Sequence, residues 1–356
     1  MKVAVYSISK NEEQFVARWA ESAKDADMIL LADTGSTDNT VQIAKDLGVT
    51  VIEIEVKPWR FDKARNMSLH AIPQDYDYCI ALDLDEVLKP GWREELELMH
   101  ALKITRPRYK YVWSWNPDGS EGLVYGGDKI HARKYYTWKH PVHEVCKSTN
   151  KKETSMWCGI EIHHHPDTSK PRSQYLPLLK LSVKEDPHDD RNAHYYAREL
   201  LMYDYKEEAY NEFKRHLSLP TATWKAERAN SYRYMSMCVE DLKEKEELLF
   251  KCVAEEPTLR EGWVSLAQLY YSQEDWHGCY FAAKKALEIK EKPLAYFNEP
   301  WAWNGYIYDI GAIAAHYLQQ DADAIEWGEK ALEFSPDDQR LISNLEQYKG
   351  VSNGNN

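Results

Sequence analysis

Tyr78-Cys79-Ile80-Ala81-Leu82-Asp83-Leu84-Asp85-Glu86 is the stretch that decides the fold. Residues 78–82 are a short apolar run, predicted as a buried strand. The run ends in two carboxylates two residues apart, and an extended chain turns such a pair to one side. Three acids within four residues repel one another unless a cation sits among them. Mg2+ or Mn2+ favours such oxygen ligands and keeps positions open for water or phosphate. The plainer use of the same acids is to cap a following helix.

Upstream, short apolar runs alternate with helical spacing. Strands are predicted at 3–8, 28–32 and 49–56. Helices are predicted at 11–23, with Phe15, Trp19 and Ala23 on one face, at 36–47, and at 62–71. Ser36 or Thr37 is the expected cap of the second helix and Gly48 its stop. Alternating strands and helices imply a mostly parallel sheet, whose ligands sit at the carboxyl ends of its strands. Each such end carries polar residues: Ser9-Lys10-Asn11-Glu12-Glu13, Asp33-Thr34-Gly35-Ser36-Thr37-Asp38, Trp59-Arg60-Phe61-Asp62 with Ala64-Arg65-Asn66, and the acidic triplet.

Residues 106–167 are aromatic and strand-like, and are expected to close over the site on the acceptor side. They hold Trp113-Ser114-Trp115 and six of the 13 histidines. From Pro171 the pattern is helical. Trp263, Leu266, Ala267 and Tyr270 fit the first helix of a tetratricopeptide unit. Cys279, Ala283 and Ala286 fit the second helix. Ala324, Gly328, Ala331 and Pro336 keep the same spacing; Ala209, Phe213, His216, Cys252 and Pro257 keep it more weakly, and residues 291–303 form an insert. The expected division is 1–170, 171–350, and a disordered tail at 351–356.

The chain has 356 residues, enough for two domains. Its 58 acidic side chains outnumber 45 basic ones, for a net charge of -13. That balance excludes a broad, non-specific grip on nucleic acid or anionic lipid. The six cysteines show no Cys-x-x-Cys spacing and are expected to be thiols in a reducing compartment. Nothing resembles a signal peptide or a membrane span, so the expected location is the cytoplasm.

The four clusters, in this order and each at a strand end, resemble the family 2 glycosyltransferases, whose catalytic domain has the GT-A fold. Asp-Thr-Gly-Ser-Thr-Asp, the later Val142-His143-Glu144 and the repeats are similar to the branch of that family carrying tetratricopeptide repeats. The resemblance implies a GT-A α/β domain followed by an all-α helical-repeat domain. It also implies glycosyl transfer from a nucleotide sugar, a UDP-sugar above others, with inversion, assisted by Mn2+ or Mg2+.

Site roles follow from the resemblance. Asp33 takes the place that holds the donor's base or ribose, or else it caps a helix. Gly35 allows the tight turn. Asn11 and Glu12 line the nucleotide pocket, or cap the first helix. Arg65 meets pyrophosphate or a uracil carbonyl, or pairs with Asp62 or Asp83. Asp83 faces ribose or metal, Asp85 binds the metal, and Glu86 lies behind them. In Ile160-Glu161-Ile162-His163-His164-His165 the family pattern selects His164 as a further ligand, with His163 and His165 as alternatives. Glu144 is the candidate base that takes the acceptor's proton, with Asp128 as its rival. Trp113 and Trp115 are candidate stacking platforms. The expected acceptor is a glycan, peptide or protein. The alternatives are a modified base in DNA, met by a rim of Lys57, Arg60, Lys63, Arg65, Lys129, Arg133 and Lys134, or a degenerate transferase whose repeats bind a protein partner or a second copy.

Overall fold

The computed structural model describes residues 1–116, 118–150, 152–166 and 175–350. The chain divides into two compact units, Met1–Ser182 with Leu294–Tyr296, and Val183–Pro293 with Phe297–Asn356. The expected boundary at 170/171 and the tail at 351–356 lie outside the described residues.

In the first unit, β1 (Val3–Ser9), α1 (Glu13–Ser22), β2 (Met28–Asp33), α2 (Thr40–Asp46), β3 (Thr50–Glu53), α3 (Phe61–Ala71) and β4 (Tyr78–Ala81) follow in turn. Then come β5 (Glu86–Leu88), α4 (Trp92–Ala101), β6 (Arg106–Val112), β7 (Val124–Gly127), β8 (Ile130–Ala132), β9 (Tyr136–Lys139), β10 (Val145–Ser148) and β11 (Ser155–His164). The main sheet has the order β3-β2-β1-β4-β8, parallel except for β8. A second sheet has the order β5-β11-β6-β7, and β9 pairs with β10. The section expected to be irregular and strand-like supplies six strands, β6 to β11, joined by loops, and β8 pairs with the main sheet's edge strand β4. The helix α4 went unread in the sequence.

Both faces of the main sheet are covered, which is why its strands read as unbroken apolar runs. Val3, Val5, Leu31 and Ile80 pack with Val16 and Trp19 of α1. Ala4, Tyr6, Leu30 and Ala32 pack with Leu69 of α3 and with Trp138. The second helix differs from expectation. It begins at Thr40 with no side-chain cap, because Ser36 and Thr37 serve the preceding loop. The backbone N–H of Ser36 donates to Asp33 and that of Thr37 to Asn11. Gly35 sits at φ +101, and a Cβ there would touch nothing, so backbone conformation alone favours glycine.

A polar chain runs through the second core. Trp138 Nε1–H donates to the Tyr6 hydroxyl (2.7 Å), and Tyr6 lies 3.1 Å from His131 Nε2. His131 Nδ1 meets the Ala132 carbonyl at 2.8 Å. This order works only with a neutral imidazole, since Nε2 must accept from Tyr6.

In the second unit, α5 (Tyr175–Glu185), which begins in the first, leads into α6 (Asp190–Met202), α7 (Lys206–Ser218), α8 (Lys225–Cys238), α9 (Leu242–Glu255), α10 (Arg260–Ser272), α11 (Trp276–Glu288), α12 (Tyr306–Tyr317), α13 (Asp321–Phe334) and α14 (Gln339–Tyr348). Successive helices pack pairwise as helical repeats. Asp241 and Asp275, one 34-residue period apart, both cap helix N-termini by accepting from the N–H three residues on. The small positions matter: a Cβ on Gly278 would meet the Tyr270 ring at 2.6 Å.

Burial holds His131 down to about 3. Its neutral form is the folded form, so its contribution is complete above the unfolded pKa near 6.5 and is lost as pH falls toward 3. The expected slope is about 1.4 kcal/mol per pH unit. In urea unfolding at pH 7.5 and 5, His131→Gln should lose less stability between the two than the wild type; equal losses would contradict the account.

Candidate active site

The carboxyl ends of β1, β2 and β4 carry two polar groups of residues. In the first, register sets Ser9 beside Asp33. The Asp33 carboxylate accepts from Ser9 Oγ (3.0 Å), Ser36 Oγ (2.5 Å), Gly35 N (2.9 Å) and Ser36 N (2.9 Å). These bonds fill the four acceptor sites of a carboxylate. Asn11 Oδ1 accepts from Thr37 N at 2.8 Å, and Glu12 N donates to Thr40 Oγ1 at 2.7 Å. Neither Asn11 nor Glu12 caps α1 through its side chain. The two loops are thus bonded to each other.

The second group is ionic. Apolar positions of α3 recur as a stripe facing the sheet, and Arg65 falls within it beside Ala64, Ser68 and Leu69. Its guanidinium is 5% exposed. Nε donates to Glu144, Nη2 donates to Asp83 Oδ1 at 2.8 Å, and the group lies 5.0 Å from the centre of the Trp138 ring. Nη1 is buried without a hydrogen bond among the described residues. Burial opposes the charge of Arg65, but Asp83 and Glu144 outweigh it and hold its pKa well above the usual value. Asn66, next along the helix, accepts from Trp138 N and donates to Trp138 O, so α3 also fixes β9.

Lys129 was read only as part of a basic rim. It immediately precedes β8, and its carbonyl accepts from Ala81 N. Its Nζ lies 2.7 Å from Asp83 Oδ2 and 2.8 Å from Glu86 Oε1. Glu86 is 1% exposed and also accepts from the Tyr111 hydroxyl (2.6 Å) and Asp83 N (2.9 Å). Burial raises the Glu86 pKa; Lys129 works against this, while Asp83 and Asp85 add to it. At Asp83 burial is outweighed by Arg65 and Lys129, and its carboxyl is held low.

Asp85 and His164 meet at the edge of this network. Pairing of β5 with β11 sets His164 opposite Glu86. His164 Nε2 lies 3.3 Å from Asp85 Oδ2, and Nδ1 lies 2.8 Å from the Trp113 carbonyl. An imidazole anchored to a carbonyl through one nitrogen, with the other facing a carboxylate, is the usual arrangement of a metal-binding histidine. These two residues therefore fit a divalent ion. Asp83, expected to share it, faces Arg65 and Lys129. His163 turns to Glu161 at 3.2 Å, and His165 stacks on Trp115 at 5.8 Å. The ring of Trp113 is 38% exposed and lies 5.7 Å from that of His164.

Glu144 is gripped by Arg65 through Oε1, and Oε2 has no partner among the described residues. Asp128 is exposed and pairs with Arg108 at 3.5 Å, apart from this network. The expected basic rim is corrected. Arg65 and Lys129 are held within the network and Arg60 by Asp62, whereas Lys57, 80% exposed beside Glu55, and Lys63 and Lys134 stay at the surface. Arg133 is buried against the Ile72 carbonyl at the end of α3.

Fold and site together define an α/β domain with polar residues gathered at its strand ends and Asp85 facing His164 beside them. Residues 5–138 match the family model described as Glycosyl transferase family 2. The domain belongs to that family, and helical repeats follow it. An uncharacterized glycosyltransferase of Rickettsia typhi is 36% identical over 101 residues, 28% of this chain and 33% of that protein. One of Rickettsia prowazekii is 35% identical over 97 residues, 27% of this chain and 32% of that protein. The chain spans about a third of the length of these relatives. Among solved structures, Pseudomonas aeruginosa PilF aligns with 49% of this chain and 72% of its own at 12% identity and a TM-score of 0.38. YrrB, titled a tetratricopeptide-repeat protein with an unusual peptide-binding site, aligns with 49% and 85% at 15% identity and 0.38.

Lys129→Met would leave Asp83 and Glu86 facing each other without their cation. The expected loss is on the order of 3 kcal/mol at pH 7.5. Glu86 already has a raised pKa, and protonation relieves the repulsion, so the loss should shrink toward pH 5. Urea unfolding at the two pH values checks this; a penalty independent of pH would contradict it.

Proposed function

We propose that the chain is a metal-dependent glycosyltransferase that moves a sugar from a UDP-sugar to an acceptor hydroxyl, with inversion at the anomeric carbon. One observation carries the reading: in a family 2 domain, Asp85 and His164 face each other at 3.3 Å beside the network of Arg65, Asp83, Lys129, Glu86 and Glu144.

Asp85 and His164 would hold Mn2+ or Mg2+, which neutralises charge on a leaving diphosphate. Arg65 offers Nη1 to a pyrophosphate oxygen or a uracil carbonyl, as a charge that does not titrate away. Asp33 and Asn11 shape the loop that receives the base and ribose, Asp33 by exchanging one bond of its own loop for a donor hydroxyl or N–H. Asp83 orders Arg65 and Lys129, and reaches ribose or metal only by giving up one of them. Glu144 Oε2 accepts the acceptor's proton as that oxygen attacks the anomeric carbon from the face opposite the diphosphate. Trp113 provides a ring for a sugar to stack on.

The acceptor in this reading is a glycan, peptide or protein. Engagement of Arg60, Arg65, Lys129 and Arg133 within the protein weighs against DNA, which needs cations free for phosphates. The repeats offer helical surfaces to a protein partner or a second copy. Six free thiols support a reducing compartment, the cytoplasm. No helix among the described residues is long and apolar enough to cross a membrane.

UDP with Mn2+ should raise the melting temperature, by the equivalent of about 2.7 kcal/mol at a hundredfold excess over Kd. Asp85→Ala should remove the part of the shift that requires Mn2+. Absence of any shift with nucleoside diphosphates or their sugars would overturn the reading. Glu144→Gln should bind the donor as the wild type does, yet turn over about 10^2- to 10^4-fold more slowly. Full turnover by this variant would remove Glu144 as the base.

A further inference from the structure

We propose that the helical-repeat unit contains a further metal site, of the kind that takes Zn2+ with three protein ligands and a fourth position open, built from His194 of α6, His216 of α7 and Glu227 of α8. The three side chains sit on successive helices and are buried, His194 and His216 at 0% exposure and Glu227 at 3%. Each offers a ligand atom within 4.8 Å of the other two. His216 Nε2 lies 3.4 Å from Glu227 Oε1. Ligands about 2.1 Å from a tetrahedral ion stand roughly 3.4 Å apart, so this pair already has the spacing of neighbouring ligands. Two histidines and a glutamate are a recurrent zinc set.

The proton arrangement favours an ion over a purely polar core. Ser231 Oγ lies 2.9 Å from Nδ1 of both histidines. A hydroxyl has one proton, so without an ion it donates to one imidazole and accepts from the other. The two rings then carry their protons on different nitrogens, and the ring donating to Ser231 has only a lone pair on Nε2. Nε2 of His194 has no hydrogen bond among the described residues, and Nε2 of His216 faces only Glu227 Oε1, at 3.4 Å; buried polar atoms are rarely left in that condition. With an ion on both Nε2 atoms, both Nδ1–H groups donate to Ser231 Oγ, whose lone pairs accept the two. That is the outer partner metal-bound histidines require.

Charge balance is consistent with this. Glu227 supplies negative charge. Two cations are near: Arg198 of α6, and Arg233 of α8, which is engaged by Glu299 at 3.1 Å and Asn230 at 3.0 Å.

The test uses the full chain carrying Asp85→Ala and His164→Ala, so that ligands of the candidate active site are gone. It is expressed in zinc-depleted medium supplemented with Co2+, which lets the chain fold around the ion. About one Co2+ per chain, with visible d–d absorption of tetrahedral strength, is the expected result. Adding His216→Gln should reduce both at least tenfold while far-ultraviolet circular dichroism stays helical. If that variant does not fold, the parent's spectrum decides alone. A folded parent without bound Co2+, or bands that persist after both His194→Gln and His216→Gln, would overturn the site and leave a polar core. Either result leaves the transferase reading untouched, because the parent already lacks its metal ligands.

Discussion

Everything at the strand ends depends on one electrostatic constraint: two cations serve three carboxylates. Arg65, buried, pairs with Asp83 and Glu144, and Lys129, half-buried, pairs with Asp83 and Glu86, while Asp85 faces His164 at the edge. Asp83 touches both cations, so it joins the half made by α3 and Glu144 to the half made by Lys129 and Glu86. The site keeps an excess of negative charge even before a diphosphate arrives. In the proposed reading a cation would offset that charge beside an anionic donor, with Asp85 and His164, which face each other at 3.3 Å, as its ligands.

Sheet pairing makes this geometry. The chain leaves β4 at Ala81 and enters β5 at Glu86, so four residues bridge the two sheets and carry Asp83 and Asp85. Trp19 Nε1 holds the bridge by donating to the Leu82 carbonyl at 3.0 Å. Pairing of β5 with β11 then delivers His164. Mobility of that bridge would separate the ion ligands from the network, and its buried apolar residues, Leu82 and Leu84, oppose this.

The order of strands and helices up to β4 was legible because buried parallel strands leave unbroken apolar runs with polar residues where each ends. Asp83, Asp85, Arg65, Glu144 and His164 were named from motif and resemblance, and the fold brings three of them into one network and two into a pair. Lys129 was not legible as a partner of Asp83 and Glu86, because 43 residues separate it from Glu86 and only the antiparallel β8 edge joins them. The N-cap assigned to Ser36 or Thr37 failed for a partly related reason: Ser36 bonds locally to Asp33, three residues back, and the bonds of both residues to Asn11 are tertiary. In the repeats, small residues at helical spacing were visible. His194, His216 and Glu227 have no short spacing, so their meeting on three helices left no trace in the sequence beyond His216 at a core position.

The most direct measurement is anomalous diffraction at the manganese edge from crystals grown with UDP and Mn2+. The account predicts a peak bonded to Asp85 Oδ2 and His164 Nε2, with a phosphate oxygen of UDP completing the contact and Arg65 turned toward the pyrophosphate. A clear UDP bound elsewhere, or a manganese peak absent from the tip of β4 while UDP occupies the cleft, would contradict it.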